Sequence, residues 1–179
     1  MAVIRHTMKA VCCILFLVAG LAVGPAIDCP RTAQAATSGE DAVRRMLELV
    51  NEARSHPRRC GWKRHAAVPP LAASAMLQRV ALAHARDMAS RGELDHDGRD
   101  GSTPAERVTR AGYRWRVTGE NIASGQPTAE IVVAGWLRSP RHCANIMDPD
   151  FTELGVGHAV ELRGTGRIFW VQVLAAPRP

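Results

Sequence analysis

The chain has 179 residues, 46% of them hydrophobic, which suits one domain with a packed core and excludes global disorder. Its formal net charge of +6 comes from arginines spread along the sequence, so a nucleic-acid reader, which gathers its cations on one element, is not expected. Only Arg58-Arg59 with Lys63-Arg64 clusters, around a single aromatic, Trp62.

Residues 1–35 read as a signal peptide. Arg5, His6 and Lys9 make a positive start, residues 11–22 form an apolar run, and Ala33-Gln34-Ala35 offers small residues to a peptidase. A run of about a dozen residues is too short to span a bilayer, which takes roughly 20. Cleavage is expected after Ala35, with Ala26 as the alternative. Asp28 argues against lipid attachment at Cys29. Losing Arg5, Lys9 and Arg31 against Asp28 takes the net charge to +4 on residues 36–179, where Lys63 is the only lysine. The expected product is secreted, or periplasmic and held at the cell envelope, with no integral membrane segment. Cys12 and Cys13 leave with the leader, and so does Cys29 if the cut follows Ala35. Cys60 and Cys143 remain, an even pair expected to form a disulfide after export; two free thiols are the alternative.

The rest reads as one domain over residues 36–179, with its core in about 42–174. Ser38-Gly39-Glu40-Asp41 resembles a capping start. Val43, Met46, Leu47 and Val50 then share one helix face, and Pro57 ends that helix or its tail. Residues 60–70 read as a loop. A second helix is predicted from residue 71 or 74 to 91, with Leu77, Val80, Ala81, His84 and Met88 on one stripe and Gly92 as its stop. Among such neighbours His84 is expected to be buried and hydrogen-bonded.

Asp95-His96-Asp97-Gly98-Arg99-Asp100-Gly101 forms a loop. It fails as a calcium loop, because Asp100 stands where glycine is required. Thr103-Pro104-Ala105-Glu106 opens a short helix that Gly112 ends. A strand is predicted over residues 113–117, leading into Gly119-Glu120-Asn121-Ile122. Tyr113 and Trp115 are assigned to a strand face or a cleft edge. Thr128 caps a helix through Arg138, with Ile131, Val132 and Trp136 inward. Ser139-Pro140 stops it and starts a turn whose first residues include His142. Leu154, Val156 and Val160 mark a strand, residues 163–167 a turn, and residues 168–174 the returning strand. Trp136 and Trp170 are expected in the core, and Asn121 and Asn145 on loop backbone groups. The class is α+β, helices packed on an antiparallel sheet.

His96, Glu120 and His142 are expected to meet in one cleft. Two neutral imidazoles can hold a divalent metal, zinc foremost, and a carboxylate can ligate it or take a proton from bound water. No nucleophile stands out. The ordered set is the His96 loop, Gly119-Glu120-Asn121-Ile122, Trp136 with Ser139-Pro140, His142, Asn145-Ile146, Gly155-Val156-Gly157 and Trp170. It resembles the CAP superfamily of cysteine-rich secretory, antigen 5 and pathogenesis-related 1 proteins, also called SCP domains, in its compact bacterial branch. The resemblance covers roughly residues 42–174. It implies an α-β-α sandwich with a central cleft. His96 and His142 stand at the metal-binding histidines and Glu120 at the glutamate of the GEN motif. Ser139 stands where animal and plant members carry a second glutamate. With Asn121 and Asn145 it is assigned to the cleft. Two readings follow. One is a binding domain for a small apolar ligand, a cell-wall component or a protein, expected to be a monomer; the other is a metal-dependent hydrolase using His96, His142 and Glu120.

Overall fold

The computed structural model describes residues 31–179. Its elements are α1 (Arg31–Arg54), β1 (Arg58–Cys60), β2 (Lys63–His65), β3 (Ala72–Ala73), α2 (Ala75–Arg91), α3 (Pro104–Arg110), β4 (Trp115–Ser124), α4 (Ala129–Arg138), α5 (Pro140–Ile146), β5 (Glu153–Val160) and β6 (Ile168–Pro177). The main sheet runs β3-β5-β6-β4. It is antiparallel except at its edge, where the two-residue β3 pairs parallel with β5.

Alternation along the strands sorts the core into two layers. Phe169, Val171 and Val173 of β6 face α2, where they meet Leu77, Ala81, Ala85 and Met88. Trp170 and Leu174 face the other way, onto Met46 and Val50 of α1, Val132 and Trp136 of α4, and Ile146 of α5. This is the predicted α-β-α sandwich. Gly155 and Gly157 explain how closely α2 lies on β5. A Cβ at either would collide with the α2 backbone around Leu77–Gln78 and Ala81–Leu82.

Several predicted elements hold. Ser74 precedes α2 and Gly92 closes it in the left-handed conformation at φ 71°. Thr103 and Glu106 form a reciprocal capping box around Pro104. Thr128 caps α4 by accepting from the Ile131 N–H. Others need correction. α1 starts at Arg31 and not near Ser38, since Ala33, Ala35 and Ala36 are strong helix formers. The leader before Arg31 lies outside the described residues. Residues 60–70 are not all loop, because β1 and β2 pair there around a Gly61-Trp62 turn, with Gly61 at φ 62°. β4 runs to Ser124, so Gly119-Glu120-Asn121-Ile122 lies within the strand, held by register with β6 from Gly119↔Leu174 to Ile122↔Val171. Gly119 is tolerated there because the Phe151 ring fills the space of its missing side chain. Ile131 is 47% exposed, and Ala129, Val132, Val133 and Trp136 supply the inward face of α4 instead. Val160 is 48% exposed at the far end of β5.

Cys60 and Cys143 form a disulfide, with Cα atoms 5.4 Å apart across 83 residues of sequence. On the chain-entropy account such a closure stabilises by ~4 kcal/mol. It fastens the β1–β2 hairpin to α5. Among the described residues no helix is long and apolar enough to cross a membrane.

Candidate functional site

The site lies along β4, an edge strand of the sheet. Carbonyls on an unpaired edge need donors. Two carbonyls, two residues apart, receive side chains from the helical layer. Asn145 Nδ2 donates to the Glu120 carbonyl (3.3 Å) and Trp136 Nε1 to that of Ile122 (3.1 Å). α4 and α5 thereby close this stretch of the edge. Asn145 also donates to Asn121 Oδ1 (2.9 Å), and Asn121 Nδ2 donates to Gln172 Oε1 (2.7 Å) and to the His142 carbonyl (3.3 Å). This chain of amides fixes the first turn of α5, and with it His142, against β4. Asn121 is fully buried.

The Glu120 side chain points to the opposite layer and is 1% exposed. Its Oε1 accepts from His96 Nδ1 at 2.9 Å and stands 3.8 Å from His84 Nε2. Its Oε2 accepts from Arg107 Nη2 at 2.9 Å. Arg107 donates further to the carbonyls of His96 (2.8 Å) and Ser102 (2.6 Å), and His84 Nε2 donates to that of Asp95 (3.0 Å). A buried carboxylate is costly unless its lone pairs are met. The same groups that meet them also hold the loop carrying His96. His84 was expected to be buried and hydrogen-bonded, and it is.

The electrostatics separate the histidines. The hydrogen bond to Glu120 raises the His96 pKa above its ordinary 6.5, against the opposing effect of burial. Burial lowers that of His142, and repulsion from His96 lowers it further. Burial also lowers His84, although Glu120 pulls it upward. His96 thus holds a proton more readily than a free histidine, and His142 less readily.

With Nδ1 engaged on Glu120, the His96 Nε2 is the nitrogen left for a ligand or metal. Both Glu120 oxygens are engaged. Among the described residues no group of three or more His, Cys, Asp or Glu is arranged to hold a metal ion. Metal coordination here would rest on the imidazoles of His96 and His142 alone. Ser139 occupies the N-cap position of α5, half-buried, and its hydroxyl makes no capping bond. Tyr113 is buried, and Trp115 Nε1 donates to Thr109 Oγ1 (2.9 Å), which places both in the packing around α3. Behind the cluster, His84 and Arg107 form part of the wall of a hollow of about 570 Å³ between α2 and α3, with Val80, Ala83 and Ala111. Sequence reasoning missed Arg107. It follows the capping-box glutamate in an arginine-rich chain, and no local pattern distinguishes it.

Residues 47–174 match the model of the CAP family, the cysteine-rich secretory protein family. The protein YkwD of Bacillus subtilis (strain 168) is 33% identical over 127 residues, covering 71% of this chain and 46% of YkwD. An extracellular protein containing a SCP domain from Bacillus anthracis str. Ames superposes with a TM-score of 0.65 at 26% identity, covering 85% of this chain and 44% of that one. An outer surface protein of Borrelia burgdorferi shares the fold at a TM-score of 0.60 and 20% identity, over 85% of this chain and 97% of its own. The chain spans less than half the length of the Bacillus relatives it matches.

Proposed function

The chain belongs to the CAP family of cysteine-rich secretory proteins, and from that premise we propose that it is an exported binding domain whose cleft takes a divalent metal, zinc foremost, on His96 and His142. Its further ligand is a small apolar molecule, a cell-wall component or a protein. Export is supported by the leader-like residues 1–35, by the disulfide, and by the extracellular character of the Bacillus anthracis neighbour.

The donor set fits such a metal. His142 is biased toward its neutral, ligating form, and Glu120 orients His96 by holding Nδ1. A carboxylate behind a ligating histidine is a recurrent support for metal affinity. The metal when bound would supply Lewis-acid attraction for an oxygen or nitrogen of the ligand. The one observation that favours binding over hydrolysis is the burial of Glu120, whose side chain is 1% exposed behind His96 and Arg107. A general base must reach the water it deprotonates.

Calorimetric titration with zinc at neutral pH tests the reading. Near-stoichiometric binding is expected, lost in His142→Ala and weakened roughly 10- to 100-fold in Glu120→Gln. Wild-type protein that takes up no zinc, or His142→Ala protein that binds it as well, contradicts the metal site. Turnover of a substrate that chelator abolishes and zinc restores would replace this reading with the hydrolase.

A further inference from the structure

One concentration of charge stands apart from the cleft. Across residues 53–86 the sequence carries seven arginines and lysines and no aspartate or glutamate. Four of them, Arg58, Arg59, Lys63 and Arg64, lie on the β1–β2 hairpin, with Arg59 directly opposite Arg64. None of the four forms an ion pair among the described residues. Arg45, Arg91, Arg99, Arg107 and Arg110 all do. Like charges across a strand pair are destabilising, and a lone two-stranded hairpin is marginal in water. This one is braced from outside. Cys60 is bridged to Cys143, and Gly61 rests on the Pro140 ring. Arg141, which follows Pro140, is exposed as well.

At the tip of this braced hairpin Trp62 is 95% exposed, whereas Trp136 and Trp170 are buried and Trp115 is half-buried. A large indole held in water among unpaired cations needs a partner that is both anionic and receptive to an aromatic ring. We propose that the hairpin docks the protein on an anionic lipid bilayer, with Trp62 entering the headgroup region and the exposed Arg59, Lys63 and Arg64 lying against lipid phosphates. Indole rings prefer the bilayer interface, and basic segments are drawn to anionic leaflets. Single-stranded nucleic acid fits less well. It is bound by stacking successive bases on several aromatics along a groove, and this hairpin carries one aromatic, Trp62, at its tip. Cys143 adjoins His142, so a docked hairpin carries the cleft to the membrane surface. The inference does not depend on a metal in that cleft.

The test uses the protein as the cell exports it, mixed with vesicles of phosphatidylcholine with or without phosphatidylglycerol. Sedimentation with the vesicles is expected only when phosphatidylglycerol is present, and it weakens steeply as salt rises from ~0.05 to ~0.5 M. Tryptophan emission shifts to the blue on binding, and this shift disappears in Trp62→Ala. That variant binds roughly fivefold more weakly. Arg59→Glu with Lys63→Glu weakens binding by more than roughly tenfold. Arg163→Glu, on the β5–β6 turn, leaves binding as it was. All these positions are exposed, so unchanged melting temperatures are expected alongside. The proposal is overturned by protein that ignores anionic vesicles, by hairpin variants that bind as well as wild type, by an equal loss from Arg163→Glu, or by tighter binding to single-stranded DNA than to vesicles.

Discussion

Among the described residues two charged side chains, those of Arg54 and Glu120, are almost wholly buried, and their neighbours give them different work. Arg54 at the end of α1 is 1% exposed and donates to four backbone carbonyls: Pro69 (2.7 Å), Ile146 (2.7 Å), Asp148 (2.9 Å) and Phe151 (3.3 Å). Glu120 is equally hidden, yet its partners are an arginine and a histidine, with a second histidine close by. Carbonyls do not titrate, and a guanidinium stays charged even where burial lowers its pKa, as it does here. Arg54 therefore ties together three stretches of chain at any ordinary pH. Glu120 sits in a set whose charges change within the physiological range, where histidine titrates. Burial alone does not distinguish a structural charge from one placed to tune its neighbours. The titratability of the partners does.

The comparison can be broken most severely at Arg54. Arg54→Ala strands four acceptors, those of Ile146 and Phe151 in buried bonds and those of Pro69 and Asp148 in half-buried ones, and at ~1–3 kcal/mol for each unmet buried group the loss should reach about 5 kcal/mol in a urea titration. Arg54→Lys should recover only part of it, because an ammonium lacks the planar fork. A cost near zero would mean that those carbonyls are met in another way.

Arg107→Ala should cost less, about 3 kcal/mol, by leaving Glu120 without its cation. Adding Glu120→Gln to that variant should restore much of the stability, since the uncompensated charge is then gone. The same glutamine should do nothing for Arg54→Ala. Rescue of both, or of neither, would erase the distinction.

The smallest expected effect is the pH dependence. His84 and His142 have lowered pKa values in the fold, so their contribution is present above the ordinary 6.5 and is lost as pH falls through their folded values. His96 is raised, so its contribution is present below 6.5 and is lost as pH rises through its folded value. Thermal melts from pH 7 to 5 should show declining stability, at no more than about 1.4 kcal/mol per pH unit for each depressed group. His84→Gln should flatten the decline and Arg54→Ala should leave its slope alone.

What could be read from sequence, and what could not, follows from how far each residue's partners lie along the chain. The caps of α3 and α4, the Gly92 stop and the apolar stripe of α2 are local signals, and all appear as expected. The pairing of His96 with Glu120 came from motif order and holds at 2.9 Å. Arg54 was invisible, because its carbonyl partners lie 15 to 97 residues away and carbonyls have no sequence signature. Arg107 was hidden among other arginines for the same reason. The extent of β4 was missed because Gly119 reads as a strand breaker until Phe151 is seen filling its space. The β1–β2 hairpin was missed because its strands are three residues each and its bracing is a disulfide to a distant helix.

That the hydrogen bond to Glu120 raises His96 while burial lowers His142 is tested most directly by following the ring resonances of both histidines by NMR across pH, in metal-free wild type and in Glu120→Gln. The account predicts a wild-type His96 pKa above 6.5 and a His142 pKa below it, with the gap narrowing in Glu120→Gln mainly through a fall at His96. Two histidines titrating together near 6.5 in wild type, unmoved by the substitution, would contradict it.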